Sequence, residues 1–244
     1  MPILLPAFIE AVKHYEPNER VKKILSTRSI VPIIGPTASG KSSLIEMVCS
    51  LDYNCSNVTS FTTRPHRRGE DAGNYRFLRH NQETINQITA AMLEKELVQI
   101  AVHPTTSYLY GSDPSDYSQE YNLVDMLASA MPTIRKLPFE KCIPIAVAIE
   151  PEDWQQWFVE RVAVEPNLAD SVKRLAEAHA SLEWSLHDPD VKWVHNKKGK
   201  LKESAECIID ILCDDRPSDE HARNLGKAML AQIPTIMAKL AASA

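Results

Sequence analysis

The sequence predicts an α/β fold with a mainly parallel sheet flanked by helices. Short, continuously apolar runs at residues 29–34, 142–149 and 191–194 read as buried strands. Each is followed by a stretch with helix-spaced apolar residues, and a glycine-bearing turn joins the first such pair. Strands alternating with helices mark crossover units, whose strands pair in parallel.

Taken in order, residues 7–15 and 19–25 carry helix-spaced apolar positions separated by Pro17, so residues 1–28 read as an N-terminal helical extension. The run 29–34 is a strand, although Pro32 within it lacks the N–H that a central strand needs. Residues 42–51 form a helix with Leu44, Ile45, Met47 and Val48 on its apolar face. The run 142–149 is the clearest strand of the second half, and residues 154–186 are helical with an interruption near Pro166. A last strand at 191–194, a helix over 205–212 and a linker at 214–218 precede a C-terminal amphipathic helix over 221–242. The apolar face of that helix (Leu225, Met229, Ile233, Ile236, Met237, Leu240) packs either on the core or on a second subunit, so a homodimer is one expectation.

A chain of 244 residues suffices for one sizeable core, or for a core carrying small inserted subdomains. Its net charge of −5 gives no general attraction for nucleic acid, so any cationic patch must be local. Five cysteines form no C-x-x-C pair and read as reduced thiols of a cytoplasmic protein. The apolar opening is too short to span a bilayer and lacks a basic region before it, so no membrane partner is expected.

Between the first strand and the helix after it lies Gly35-Pro-Thr37-Ala38-Ser39-Gly40-Lys41-Ser42, a full match to G-x-x-x-x-G-K-[ST]. Its glycines let backbone N–H groups curl around a phosphate, and the helix aims its positive end at the anion. Lys41 is expected to reach the β and γ phosphates of ATP, Ser42 to ligate Mg²⁺, and Ser43 to complete the loop. The fold expected is thus of P-loop NTPase type.

A second segment runs Ser60-Phe-Thr-Thr-Arg64-Pro-His-Arg67-Arg68-Gly69-Glu70-Asp-Ala-Gly73-Asn-Tyr75, and Tyr110-Gly111-Ser112 follows. Arg64, Arg67, Arg68, Arg76 and Arg79 crowd one stretch of a net-acidic chain, and guanidinium forks suit bidentate capture of phosphate. Five of the seven glycines fall in these motif segments. In motif order and spacing the chain resembles the guanylate kinases, from about residue 30 to 211. That resemblance implies nucleotide-monophosphate-binding (58–113) and lid (155–172) subdomains inserted in a domain spanning 29–213, with 214–244 as a tail. It implies that Arg64, Arg67, Glu70, Tyr75 and Tyr110 hold the acceptor monophosphate segment, and that Ser60 and Ser112 bond the base. Asp125, in Asn122-Leu-Val-Asp-Met, is similar to a family aspartate facing acceptor base and metal. Arg161 and Arg174 match lid arginines that close over the transferring phosphate, while Trp157 stands near the place of a further one.

The implied activity is transfer of the ATP γ-phosphoryl group to a nucleoside monophosphate, GMP or dGMP first. One departure bears on the base. The family has an acidic residue shortly before Y-G-[ST], and here Gln99 occupies that place, unless Glu94 or Glu96 supplies the carboxylate. A carboxylate only accepts, whereas glutamine offers one acceptor and two donors, so guanine preference is expected to weaken. Two other readings stand beside the kinase. One is a catalytically silent interaction module on the same fold. The other is an enzyme of another class, since the phosphate-loop words also resemble those of tRNA dimethylallyltransferases and phosphoribosyl bisphosphokinases share the fold.

Overall fold

The computed structural model describes residues 6–66, 75–102, 107–164, 168–214 and 216–242, with the side chains of 161, 163–164, 168–170 and 240–242 outside the description. In chain order, helices α1 (Pro6–Lys13) and α2 (Glu19–Leu25) precede strand β1 (Ser29–Ile34) and helix α3 (Lys41–Leu51). Short strands β2 (Cys55–Asn57), β3 (Ser60–Thr62) and β4 (Tyr75–Phe77) lead to α4 (Gln82–Leu93), then β5 (Gln99–Val102), β6 (Leu109–Ser112) and β7 (Tyr121–Asp125). After the single turn α5 (Met131–Ile134) come β8 (Lys141–Cys142), β9 (Ile145–Ala148), α6 (Pro151–Val164), α7 (Leu168–His187), β10 (Lys192–His195), α8 (Leu201–Asp214) and α9 (Glu220–Ala242). The chain divides into two units: Met1–Ser29 with Ser56–Asn122 and Leu137–Glu140, and Ile30–Cys55 with Leu123–Lys136 and Lys141–Ala244.

The larger unit is built on a sheet of order β10-β9-β1-β7-β2, with β8 also on β1. Strands β1, β9 and β10 pair in parallel. The bonds Ser29 N–H to Glu120 O (2.7 Å) and Met126 N–H to Ile33 O (3.2 Å) advance together, so β7 runs parallel to β1 as well. All six residues of β1 and all four of β9 are buried, which is why both read as unbroken apolar runs. The chain turns first to one side of β1 and later to the other. Such a reversal makes the carboxyl end of β1 the crevice where open α/β sheets bind ligands.

Pro32 fits this central strand because the neighbouring strand is interrupted where its missing N–H would bond. Ile143 N–H donates to Ile30 O at 2.9 Å, so the next donor toward this neighbour would be the N–H that Pro32 lacks, and the ladder opens there. The expected single strand over 142–149 is accordingly two, β8 and β9, broken at Ile143 and Pro144.

Ala146, Ala148 and Trp193 face a core built from α6, α7 and α9 (Trp154, Phe158, Leu175, Leu182, Leu225, Met229, Ile233). Helix α9 therefore packs Leu225, Met229, Ile233, Ile236 and Met237 of its apolar stripe within its own unit, and the Leu240 side chain lies outside the described residues. Helix α3 packs on α8, which lies against β10.

The smaller unit has a four-stranded sheet, β4-β3-β6-β5. Strand β4 is parallel to β3, and β6 is antiparallel to both β3 and β5. Helix α4, absent from the expectations above, starts at Asn81, whose side chain accepts the Thr84 N–H at 2.8 Å. It buries Ile85, Ile88 and Met92 against Phe61, Ile100 and Leu109. The N-terminal helices join this unit rather than standing apart. Phe8 enters the same cluster, Tyr15 Oη donates to Leu97 O (2.7 Å), and Asn18 Nδ2 to Glu94 O (3.0 Å).

All five cysteines carry free thiols. Among the described residues no helix is long and apolar enough to cross a membrane.

Gly226, inside α9, lies against the fully buried Trp193, and an added Cβ would stand 2.3 Å from its ring. Alanine would gain about 1 kcal/mol of helix propensity, but overpacking a rigid core ring costs about 1–3 kcal/mol. Gly226→Ala is therefore expected to lower Tm by a few degrees, measured by calorimetry. An unchanged or raised Tm would show that α9 does not pack as described.

Candidate phosphate site and sheet face

The loop between β1 and α3 begins at Gly35, where a Cβ would lie 2.9 Å from Val147 O on the neighbouring strand. The chain then turns through two left-handed residues, Ala38 (φ 66) and Gly40 (φ 79). What holds this turn is a set of side chains that take its carbonyls. Lys41 Nζ donates to Gly35 O and Pro36 O, both at 3.0 Å. Trp154 Nε1, from α6, donates to Thr37 O at 2.9 Å. Asn196 Nδ2, just beyond β10, donates to Ser39 O at 2.9 Å. Four successive-region carbonyls of the loop, at 35, 36, 37 and 39, are thus drawn to protein donors.

The start of α3 has the complementary character. Its N-cap is Gly40, with no side-chain cap and no acidic residue in the first turn. The first N–H groups of a helix lack partners within the helix, and Gly40 has no side chain to cap them. Ser39 is fully buried and its hydroxyl makes no hydrogen bond. Lys41 Nζ, 11% exposed as a side chain, lies 3.6 Å from Asp125 Oδ1 at the end of β7. Thr37, Ala38 and Ser42 are half-buried and Ser43 is exposed. An uncapped helix start, an orphaned hydroxyl, an ammonium group and a carboxylate together fit a magnesium–triphosphate group.

Asn196 and Trp154 are the residues that sequence reading missed. Asn196 is buried, and its backbone N–H bonds Ala148 O at 2.8 Å. A Cβ on Gly40 would meet Asn196 Nδ2 at 2.4 Å, so the loop glycine and this amide are fitted to each other. Neither residue belongs to a contiguous motif, and no local signal marks them.

Of the expected lid arginines, Arg161 falls on α6 and Arg174 on α7. The Arg161 side chain lies outside the described residues. Arg174 is half-buried on α7, beside the fully buried Leu175. Trp157 packs partly buried on the core.

The sheet of the smaller unit carries the second group. Strand partners share a face, and successive residues alternate. The pairings Ser60 with Tyr75, Thr62 with Tyr110, and Gln99 with Ser112 put Ser60, Tyr75, Gln99, Tyr110 and Ser112 on one face. The opposite face carries Phe61, Ile100 and Gly111 and meets α4. At Gly111 a Cβ would collide with Phe61 (2.4 Å) and Gln99 O (2.8 Å), so only glycine lets these strands close.

Arg64 belongs to the polar face: it is 7% exposed, with its guanidinium 5.3 Å from the Tyr75 ring centre and 5.1 Å from Phe77. Its Nη1 donates to Pro65 O at 3.1 Å. Tyr75 and Tyr110 stand edge to face at 6.0 Å. Ser112 Oγ pairs with Tyr117 Oη at 3.0 Å, and burial pushes that phenol well above its ordinary pKa.

Arg76 points to the other face, where it is ion-paired with Asp113 and Asp116 and donates to Thr59 O at 3.1 Å. Burial pushes the Asp116 carboxyl up, against the opposing pull of Arg76. Arg67 and Glu70 lie outside the described residues. Glu94 and Glu96 are exposed, beyond the end of α4 and off the strands.

No family model matches the chain, and no curated protein matches it. Among solved structures, the guanylate kinase of Anaplasma phagocytophilum is similar with a TM-score of 0.42 and 15% identity, covering 78% of this chain and 85% of that one. A fungal RNA kinase is similar with a TM-score of 0.34 and 13% identity over 83% of this chain, which spans about half (49%) of that protein's length.

Removing the Asn196 amide takes away the donor to Ser39 O and the wall behind Gly40. Asn196→Ala is expected to weaken binding of an ATP analogue about tenfold, equivalent to ~1.4 kcal/mol or one good hydrogen bond, with Tm falling by only a few degrees. Titration calorimetry decides it: unaltered nucleotide affinity would mean that the loop holds its shape without this residue.

Proposed function

We propose that the chain is a nucleoside monophosphate kinase that moves the γ-phosphoryl group of ATP to a purine monophosphate, with GMP or dGMP as the leading acceptors. The observation that supports this most is the G-x-x-x-x-G-K-S loop, its carbonyls taken by Lys41, Trp154 and Asn196 and its lysine beside Asp125. A pure scaffold has no use for an uncapped helix start beside a lysine–aspartate pair. The smaller unit supplies a second polar face with a buried arginine, suited to a second, different phosphate-bearing ligand.

In this reading the first N–H groups of α3 and the Lys41 ammonium bind the β and γ phosphates. Ser42 and Asp125 hold Mg²⁺ through hydroxyl and carboxylate oxygens, the ligand type this ion prefers. When bound, magnesium–ATP supplies the phosphoryl group and the metal neutralises charge on its oxygens. Arg64 holds the acceptor phosphate, helped by Arg67 and Glu70, and Tyr75 and Tyr110 wall its site. Ser60, Gln99 and Ser112 meet the base. Arg161 and Arg174 add positive charge near the transferring group. The acceptor's own phosphate oxygen is the nucleophile, so no serine, cysteine or histidine need be activated.

Gln99 bears on acceptor choice. Facing Ser112 across the strands, it presents one acceptor and two donors to a base edge. Guanine N1–H and N2–H are both donors, so one of them meets a donor. Adenine, with a donor beside an acceptor, is matched at both positions.

A coupled assay with ATP, Mg²⁺ and each nucleoside monophosphate tests the reading. ADP formation is expected to require a purine monophosphate, and Lys41→Met to lower kcat by about 10²–10³, the usual worth of one preorganised charge donor. ADP formed at the same rate with no acceptor, or none with any acceptor, would overturn it. Gln99→Glu is expected to shift the GMP-over-AMP ratio of kcat/KM toward GMP about tenfold, near the ~1–3 kcal/mol of one mismatched polar group. Equal ratios in the two proteins would remove Gln99 from base selection.

A further inference from the structure

A second cluster of ligand-type side chains lies in the larger unit, apart from the phosphate loop residues. Glu150 follows β9, His195 ends β10, and His221 stands in the first turn of α9. One ligand-capable atom of each lies within 4.8 Å of the other two. His195 Nε2 is 3.4 Å from Glu150 Oε1, and the two imidazole rings are 5.3 Å apart, edge to face at 68°.

The His195 nitrogen carries the argument. Nε2 is shut off from solvent and makes no hydrogen bond, and 3.4 Å is longer than an ordinary N–H···O contact. Buried polar atoms without partners are rare and call for a specific occupant. The same 3.4 Å is what two ligands keep on one tetrahedral ion, since metal–ligand bonds of ~2.0–2.1 Å give an edge of about 3.3–3.4 Å.

We propose that Glu150, His195 and His221 bind a divalent transition ion of the zinc class, clamping the first turn of α9 to the ends of β9 and β10. Two imidazoles and a carboxylate are borderline donors that suit zinc, whereas calcium and magnesium take oxygen ligands alone. The three ligands come from segments far apart in the chain, so the ion would cross-link the close of the sheet to the C-terminal helix. Exposed His221 leaves the fourth position open to water. The neighbouring backbone already approaches there: Asp219 N–H bonds Trp193 O at 3.2 Å, and Ser218 Oγ accepts the Trp193 N–H at 2.9 Å.

The test uses the full chain, stripped with a chelator and titrated with Zn²⁺ alone. One ion per chain and a rise in Tm of several degrees are expected. His221→Ala and Glu150→Gln, both at positions open to solvent, should keep the metal-free Tm, weaken Zn²⁺ at least tenfold and abolish the rise. Loading with Co²⁺ should give the visible bands of a tetrahedral centre without thiolate charge transfer. Absence of stoichiometric binding overturns the proposal. So does binding that both variants leave intact, or a cobalt spectrum showing thiolate ligation, since either would assign the ion to other residues.

Discussion

The turn between β1 and α3 depends on donors elsewhere in the fold taking its carbonyls. A backbone turn that gathers N–H groups on its inside must dispose of its C=O groups on the outside, and a buried carbonyl left unpaired is costly. Lys41, Trp154 and Asn196 take those carbonyls, at about 1 kcal/mol net for each neutral bond and more for the charged one. Together they offset the ~1–2 kcal/mol of holding Ala38 in left-handed backbone. Every anchoring group comes from an element that is itself fixed in the core. Trp154 is wholly buried on α6, and Asn196 extends the ladder of β10 onto β9. The loop is preorganised by the sheet beneath it.

The smaller unit solves a different problem with strands of three and four residues. Period-two alternation assigns each side chain to α4 or to the polar face, and a slip of one residue would exchange the two sets. The close contact of Gly111 with Phe61 blocks such a slip, because any other residue at 111 would strike the ring. Register, rather than local conformation, brings Gln99 against Ser112 and stacks Arg64 over Tyr75 and Phe77. It also sends Arg76 to the other face, into an ion pair with Asp113 and Asp116. Two arginines of one segment, Arg64 and Arg76, thus acquire different surroundings.

Much of the larger unit was legible in the chain. Strand β1 and helix α2 fall at their expected bounds, and α3, α6 to α9 and β10 lie within a few residues of theirs. These elements are either continuously apolar or periodic over several turns, so the residues themselves carry the signal. The smaller unit was less legible, since β3 to β6 are too short to show a period. Helix α4 did carry one, in Asn81 followed by Ile85, Ile88 and Met92.

By itself the sequence determined the α/β class, the phosphate loop with its lysine, and the arginine- and tyrosine-bearing segments. Each is a short contiguous pattern whose physics is local: glycine conformations, a helix start, apolar spacing. Tertiary structure alone decided that Asn196 and Trp154 brace the loop, that Asp125 stands beside Lys41, and that Pro32 lies where the neighbouring strand breaks between β8 and β9. It also decided that α9 packs on its own core and that Glu150, His195 and His221 converge. These are contacts between residues tens of positions apart, set by strand order and register, and no window of sequence contains both partners.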